Sequence, residues 1–331
     1  MNRPLGIAYV LPVRWTEDGD LDDLTDYLRW LSPRVELIVV DGSPPPLDAR
    51  HRAAWGPYAR VMPPDPGLRC LMGKVDGVLT GLRAARADRV VIADDDVRYD
   101  AAGLTRMAAL LAGHDVVRPQ NVFRPLPWQG RWDTGRILVN RALGGDFPGT
   151  LGVRRDVLMA AGGYSGDVMF ENLELIRTVR AAGGREANAR DLFVVRRPAG
   201  VRHFLRQRVR NAYDDFAIPA RMAAWLAVLP LVALAGRRRP AVVAALAAGT
   251  VALAERGRRR DGGRDRFGPT ASLWAPLWLA ERALCAWLAL GSRLRLGGVR
   301  YGDGVIPVAA HSPRHLRERV GRPVRDHAPA P

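Results

Sequence analysis

The stretch VVIADDDVRYD, residues 90–100, consists of four apolar residues followed at once by three consecutive carboxylates. A short, β-branched apolar run with polar flanks is typical of a buried strand. Asp94, Asp95 and Asp96 would then lie at its carboxyl end, where open α/β sheets bind ligands. Three adjacent negative charges repel one another, and a hard divalent cation would relieve that repulsion. A solvated acidic turn is the other interpretation, because Asp is a favourable residue before a helix.

The residues before this stretch alternate between strand and helix patterns. Residues 6–13 and 35–42 are predicted to be buried strands, and residues 22–31 and 73–86 amphipathic helices. Strand and helix in strict alternation predict an α/β fold with a doubly wound, Rossmann-like, mostly parallel sheet. Asp41 ends the second strand, before a predicted proline-rich loop. It should therefore open onto the same crevice as the three carboxylates.

The pattern from residue 101 to residue 216 is looser. The predicted elements are a helix over 101–112, a strand over 114–123, a strand with glycine turns over 146–154, and helices over 155–161 and 171–182, with a last short strand over 192–195. Residues 125–136, which carry Trp128 and Trp132, are predicted to be an irregular loop. Residues 1–216 together are expected to form one catalytic domain.

The composition changes after residue 216, and residues 217–296 are predicted to be membrane-associated helices. Residues 218–236, 240–254 and 270–291 are apolar stretches, and a bilayer core requires about 20 helical residues. Arginines flank these stretches, which leaves a spanning and an interfacial arrangement both open. A soluble helical subdomain is the third possibility.

The remaining residues, 297–331, form a basic polar tail. An ordered segment packed on the enzyme is expected over 296–317, and disorder after Pro323.

The charge of the chain limits the classes of partner. The formal net charge is +16, and Lys74 is the only lysine among 50 basic residues. The arginines are spread along the whole chain and no nucleic-acid-binding signature is present, so attraction to anionic lipid is favoured over nucleic acid. The N-terminus lacks the apolar stretch of a signal peptide, so the catalytic part is expected on the cytoplasmic side of a cell membrane.

Five short motifs occur in a fixed order along the chain. They are VVDGS (39–43), GK (73–74), ADDD (93–96), GGY (162–164) before FENLEL (170–175), and QRVR (207–210). This ordered set resembles the family 2 glycosyltransferases of GT-A fold over roughly residues 5–215. The trailing apolar segments are similar to the membrane-attached branch with ceramide glucosyltransferase-like and cellulose synthase-like enzymes. GGVRY, residues 297–301, is similar to tails of bacterial members of that branch.

The resemblance implies a metal-dependent, inverting transfer from a nucleotide sugar, such as a UDP- or GDP-sugar. Asp94 and Asp96 would hold Mn²⁺ or Mg²⁺, with Asp95 between them at the donor. Asp41 would contact the base of the nucleotide, and Lys74 would line the donor site. The acceptor would be a lipid, a lipid-linked molecule or a glycan at the membrane surface.

An inverting transfer also needs a general base. The resemblance places it on an acidic pair at the start of a helix, and the corresponding pair is Glu171-Asn172. Asparagine cannot act as a carboxylate base, so Glu171 is the leading candidate. Glu174, one turn later, and Asp167, upstream, are alternatives.

The resemblance also assigns residues 203–210. Gln207 and Arg210 match the QxxRW motif, although its tryptophan is missing here. Arg210 would contact the diphosphate, Gln207 would line the same site, and His203 is a candidate third metal ligand.

Two further functions remain open. Asn172 and the missing tryptophan suggest a catalytically inactive nucleotide-sugar-binding or scaffold protein. A nucleotidyltransferase is less favoured, because residues 11–20 lack the glycine-rich basic loop that such an enzyme would carry after its first strand.

Overall fold

A computed structural model of the chain describes residues 5–302 and 304–320, apart from the Arg238 side chain. The first 196 residues form β1 (Ala8–Val13), α1 (Leu21–Leu31), β2 (Glu36–Asp41), α2 (Leu47–Trp55), β3 (Arg60–Met62), α3 (Gly73–Ala84), β4 (Arg89–Ala93), β5 (Val97–Arg98), α4 (Ala101–Leu110), β6 (Val116–Phe123), α5 (Trp128–Leu143), β7 (Thr150–Arg154), α6 (Arg155–Ala160), α7 (Glu171–Ala181) and β8 (Glu186–Arg196). The remainder forms α8 (Val201–Tyr213), a 3-10 helix (Asp214–Ala217), α9 (Pro219–Arg238), α10 (Pro240–Arg259), α11 (Ala275–Leu296), β9 (Val299–Tyr301), β10 (Gly304–Ile306) and α12 (Pro313–Arg319).

An eight-stranded sheet organises the first part of the chain, in the order β3-β2-β1-β4-β7-β6-β8-β5. The pairs from β3 to β4 are parallel, β7 is antiparallel to both of its neighbours, and β6 and β8 are again parallel. Helices α1, α2 and α4 cover one face, and α3, α6 and α7 cover the other. The predicted doubly wound, mostly parallel α/β sheet is therefore confirmed.

Two helices occupy residues that were predicted to be loops. Residues 125–136 were expected to be irregular, but α5 begins at Trp128 and runs to Leu143, and α2 lies in the proline-rich segment after β2. The apolar side of α5 packs on α10 and α11, which are far away in sequence. Local pattern therefore could not reveal this helix. A Cβ at Gly135 would lie 2.9 Å from the backbone nitrogen of Ala275, so the close packing requires glycine there.

The three predicted apolar segments are helices α9, α10 and α11. By length and composition each is apolar enough to cross a membrane, and their buried share rises from 6% through 17% to 39%. Helices α10 and α11 pack on α5, which belongs to the first 216 residues. In α10, for example, Gly257 lies against the α5 backbone, and buried Arg141 donates to the carbonyls of Gly257 and Arg260 at 3.2 and 2.7 Å.

The two charged residues inside the third apolar stretch each pair with a residue from the first 216 residues. Glu281 contacts Arg208 of α8, and Arg282 contacts Asp215. Each charge in this apolar stretch is thus compensated by an oppositely charged residue of α8 or the 3-10 helix, which reduces the cost of burying it.

The ordered tail predicted after Leu296 is present. β9 and β10 form an antiparallel hairpin, and α12 packs near α7. The predicted disorder after Pro323 lies outside the described residues.

Candidate active site

A cleft of about 620 Å³ opens at the carboxyl edge of the sheet. Its walls extend from the ends of β1 and β4 across α3, α7 and α8 to the bases of α9 and α11. All but one of the site residues predicted from the sequence line this cleft, and the exception is Asp41. The lining residues are Lys74, Asp94, Asp95, Asp96, Glu171, His203, Gln207 and Arg210.

Lys74 joins two walls of the cleft. Its Nζ lies 2.5 Å from Asp94 Oδ1 at the end of β4 and 2.8 Å from Glu171 Oε1 at the start of α7. Burial alone lowers the pKa of Lys74, but the two carboxylates outweigh burial and raise that pKa well above its ordinary value. Glu171 therefore faces the carboxylate triplet across a permanently charged lysine.

Arg196, at the end of β8, neutralises the other side of the triplet. Its Nε donates to Asp96 Oδ2 at 2.7 Å, and its Nη2 lies 3.4 Å from Asp94 Oδ2. Asp96 Oδ1 is buried without a hydrogen-bond partner among the described residues. Burial raises the pKa of Asp96 to about 6, because the neighbouring carboxylates add to burial while Arg196 opposes it. We call Lys74, Asp94, Asp96, Glu171 and Arg196 the sheet-edge cluster.

The sequence alone does not identify Arg196 as a site residue, because nothing distinguishes it from the many other arginines of the chain. Gly149 lies beside both Asp94 and Arg196. A Cβ at this glycine would collide with the Asp94 carboxylate and press on the Arg196 guanidinium. The glycine thus leaves room for the ion pair.

Asp95 and Asp41 are each held by protein groups. Asp95 accepts a hydrogen bond from the Trp15 indole, and burial raises its pKa. Buried Asp41 accepts from the Ser43 backbone at 2.9 Å and lies 2.7 Å from Nδ1 of His51. The cleft wall at this strand end is formed by the residues on either side of Asp41, so its contact with a nucleotide base stays a prediction.

Three predicted residues lie on successive turns of α8. His203 Nε2 contacts the Gln207 amide, and burial together with the Arg210 charge lowers the pKa of His203. Within residues 5–302 and 304–320, no three His, Cys, Asp or Glu side chains are grouped as a metal site. A metal-binding role for His203 therefore stays a prediction. The Arg210 guanidinium lies 5.6 Å from the centre of the Tyr301 ring.

The alternatives to Glu171 have other partners. Glu174 is fully buried and faces away from the cleft, where its two oxygens bind His311 Nδ1 at 2.7 Å and the His311 backbone at 2.8 Å. Asp167 accepts a hydrogen bond from the Leu71 backbone at 2.9 Å. Asn172 donates to the Pro148 carbonyl at 3.1 Å. Of these four residues, Glu171 and Asn172 line the cleft. Of these two, Glu171 is the one with a carboxylate.

A second set of charges lies where the cleft meets the apolar helices, and we call it the helix-side cluster. Its members are Asp133, Arg208, Asp215, Arg221, Glu281 and Arg282. Arg208 bridges Asp133 at 2.8 Å and Glu281 at 3.5 Å, and Asp215 bridges Arg221 at 2.8 Å and Arg282 at 3.6 Å. These pairs connect α5 and α8 to α9 and α11.

Asp214 precedes the second bridge but does not belong to it. It lines the cleft, and its Oδ1 is buried without a hydrogen-bond partner among the described residues. Burial and then the Glu171 charge raise its pKa well above the ordinary value.

No protein-family model matches the chain, and no curated protein matches its sequence. Among solved structures, the chain is similar to a mannosyltransferase from Pyrobaculum calidifontis in complex with GDP-Man and Mn²⁺, with TM-score 0.55 and 20% identity over 86% of this chain and 88% of that one. Glucosyl-3-phosphoglycerate synthase from Mycobacterium tuberculosis, in complex with Mn²⁺, UDP and glucosyl-3-phosphoglycerate, aligns with TM-score 0.43 and 20% identity over 61% of this chain and 76% of that one. Mannosyl-3-phosphoglycerate synthase from Rubrobacter xylanophilus aligns with TM-score 0.43 and 19% identity over 62% and 70%. The first likeness confirms the GT-A fold.

Proposed function

We propose that the chain is a metal-dependent, inverting glycosyltransferase of the membrane-attached branch of family 2. It would move a sugar from a nucleotide-sugar donor to a hydroxyl of a lipid, lipid-linked or glycan acceptor. The observation that carries this proposal is the Lys74 bridge, because it places a candidate base, Glu171, directly across the cleft from Asp94.

The donor diphosphate would lie at the sheet-edge cluster. Asp94 and Asp96 would hold an Mn²⁺ or Mg²⁺ ion, and the diphosphate and water would complete its coordination. The buried Asp96 Oδ1 has no hydrogen-bond partner among the described residues. Such ions are often bound through one or two carboxylates and substrate phosphates. The ion would stabilise the charge of the departing nucleoside diphosphate. The solved mannosyltransferase of the same fold was obtained with GDP-Man and Mn²⁺.

The chain supplies two further cations for the same negative charge. Lys74, at the start of α3, and Arg210, on α8, both line the cleft. A diphosphate between them would receive hydrogen bonds to charged groups, which are the stronger kind. Gln207 and Asp95 would line the donor pocket, and Asp41, fixed by His51, would support the base of the nucleotide.

Glu171 would accept the proton of the attacking acceptor hydroxyl. Its carboxylate is 13% exposed and is oriented by Lys74 at 2.8 Å. When the diphosphate binds, Lys74 would gain a third anionic partner beside Asp94 and Glu171, which would weaken its hold on Glu171 and free that carboxylate for the acceptor hydroxyl.

The acceptor would arrive along the apolar helices. The cleft reaches Arg221 at the base of α9 and Arg282 in α11, and Leu231 and Leu234 of α9 are 62% and 66% exposed. A lipid acceptor would lie against this face with its head group in the cleft, on the cytoplasmic side of the cell membrane.

Replacing both Leu231 and Leu234 by serine should lower co-sedimentation with vesicles of anionic phospholipid and leave nucleotide binding unchanged. Equal sedimentation would contradict membrane contact by α9.

The direct test is nucleotide binding by the purified full chain. Titration with UDP and GDP should show binding of one of them in Mn²⁺ and a large loss of affinity in EDTA, with ADP as the control. Equal affinity for all three nucleotides, or no effect of EDTA, would contradict the proposed donor site.

A catalytically inactive nucleotide-sugar-binding protein is the second candidate. It is favoured by the ion pair between Glu171 and Lys74, because this contact occupies a carboxylate oxygen that a general base would need for the acceptor hydroxyl. Such a protein would bind the nucleotide sugar and never release the nucleoside diphosphate from it, which distinguishes the two functions.

A further inference from the structure

We propose that the segment after the last apolar helix, residues 297–302 and 304–311, completes the catalytic centre, and that Tyr301 positions Arg210 for the donor diphosphate. This inference rests on the proposed function, because it takes the diphosphate as the ligand of Arg210. It adds a residue that follows the apolar helices to a catalytic centre whose other proposed members lie among the first 216 residues.

Tyr301 and Arg210 face each other across the cleft wall. The guanidinium lies 5.6 Å from the centre of the ring, and both residues line the cleft. A cation within about 6 Å of an aromatic face is attracted by the electrons of the ring. The Arg210 side chain has no hydrogen bond or ion pair with another described residue, so the ring is the main restraint on the guanidinium. A flexible arginine held in this way keeps its donors free for a ligand.

The hairpin that carries Tyr301 is itself firmly fixed. Its strands β9 and β10 pair with each other, and Val299 and Ile306 are buried. Gly298 packs so closely on Ile306 that a Cβ would collide with the Ile306 carbonyl. The Tyr213 hydroxyl donates to the Pro307 carbonyl at 2.7 Å, which ties the hairpin to the end of α8, the helix of Arg210. The ring is thus held in place relative to the arginine.

The same segment continues to the wall that carries Glu171. Val168 pairs with Val308, and the backbone nitrogens of Met169 and Phe170 donate to the carbonyls of Val308 and Ala309 at 2.9 and 2.8 Å. His311 then binds buried Glu174. The residues immediately before Glu171 are therefore held by the tail, which connects the base wall with the Arg210 wall.

The test compares Tyr301→Ala with Tyr301→Phe in titrations of the full chain with UDP and GDP in Mn²⁺. Loss of the ring should weaken binding of the preferred nucleotide about fivefold to tenfold, whereas Phe retains the aromatic face and should bind within about twofold of the unmodified chain. Tyr58→Ala is the matched control. The Arg29 guanidinium lies 5.2 Å from the centre of the Tyr58 ring, and Tyr58 does not line the cleft. Its nucleotide affinity should not change.

A double-mutant cycle separates positioning from general stability. In an Arg210→Ala background, Tyr301→Ala should cause no further loss of affinity, because its effect passes through the arginine. If Tyr301→Ala does not fold, Tyr301→Leu removes the aromatic face at similar apolar volume and replaces it in the cycle. Unchanged affinity of the ring-deleted variant, equal loss in the Phe variant, or additive losses in the cycle would each overturn the inference. Absence of nucleotide binding by the unmodified chain would instead overturn the proposed function.

Discussion

The two charged clusters of the cleft both combine carboxylates with basic side chains, and they differ in how their charges are matched. In the helix-side cluster, Asp215 and Arg282 are 4% and 5% exposed, and each carboxylate faces an arginine. In the sheet-edge cluster, Asp94 and Asp96 are 20% and 26% exposed, and they share Arg196. Buried, matched pairs cannot lose a partner without a large cost in stability. Partly exposed carboxylates with an unused oxygen are instead suited to receive a ligand.

This difference predicts that the sheet-edge cluster controls ligand binding with little effect on folding. Asp96→Ala should lower the affinity for the preferred nucleotide in Mn²⁺ by roughly 1,000-fold, since a bound metal ion contributes several kcal/mol. The free energy of unfolding should change by less than about 1 kcal/mol, because Arg196 keeps Asp94 as a partner and the pair is partly exposed. Calorimetric titration and denaturant unfolding measure the two quantities. Unchanged affinity would exclude Asp96 as a metal ligand.

The helix-side cluster should show the opposite behaviour. Asp215→Asn removes the carboxylate that faces Arg221 and Arg282. Breaking a buried ion pair on one side leaves an uncompensated charge, so the free energy of unfolding should fall by about 3 kcal/mol. Nucleotide affinity of the folded fraction should remain near that of the unmodified chain. Loss of affinity without loss of stability would place Asp215 in the ligand site.

Asp214 gives the smallest expected effect and is the matched control for Asp215. Burial and then the Glu171 charge raise its pKa, which favours the neutral carboxyl, and Asn is close to that form in shape. Asp214→Asn should therefore change the free energy of unfolding by less than about 0.5 kcal/mol. A loss comparable to that of Asp215→Asn would mean that stability depends on the whole Asp214–Asp215 segment and not on the ion pairs.

The sequence was sufficient for the sheet and for one side of the site. Buried strands with β-branched residues are local patterns, and the carboxyl ends of parallel strands share one edge. Asp41 and Asp94 could therefore be placed at one edge of the sheet before the structure was known, and the resemblance added Lys74 and Glu171. In the structure, Lys74 bridges Asp94 and Glu171 across the cleft.

Long-range packing explains what the sequence left out. Helix α5 is stabilised by α10 and α11, more than a hundred residues later. Arg196 looks like any other arginine until β8 brings it to Asp96. His51, which holds Asp41, lies on a helix where prolines suggested a loop. Tyr301 reaches the cleft only because the tail returns past the apolar helices.

The most direct test of the central claim is sugar transfer by the detergent-solubilised chain, with radiolabelled UDP- and GDP-sugars, Mn²⁺ and a bacterial membrane lipid extract. The unmodified chain should move label from one donor into the lipid fraction. Glu171→Gln should bind the nucleotide with little change and transfer label about 100- to 10,000-fold more slowly, the usual range for loss of a general base. Transfer by Glu171→Gln at the rate of the unmodified chain would contradict the assignment of Glu171 as the base.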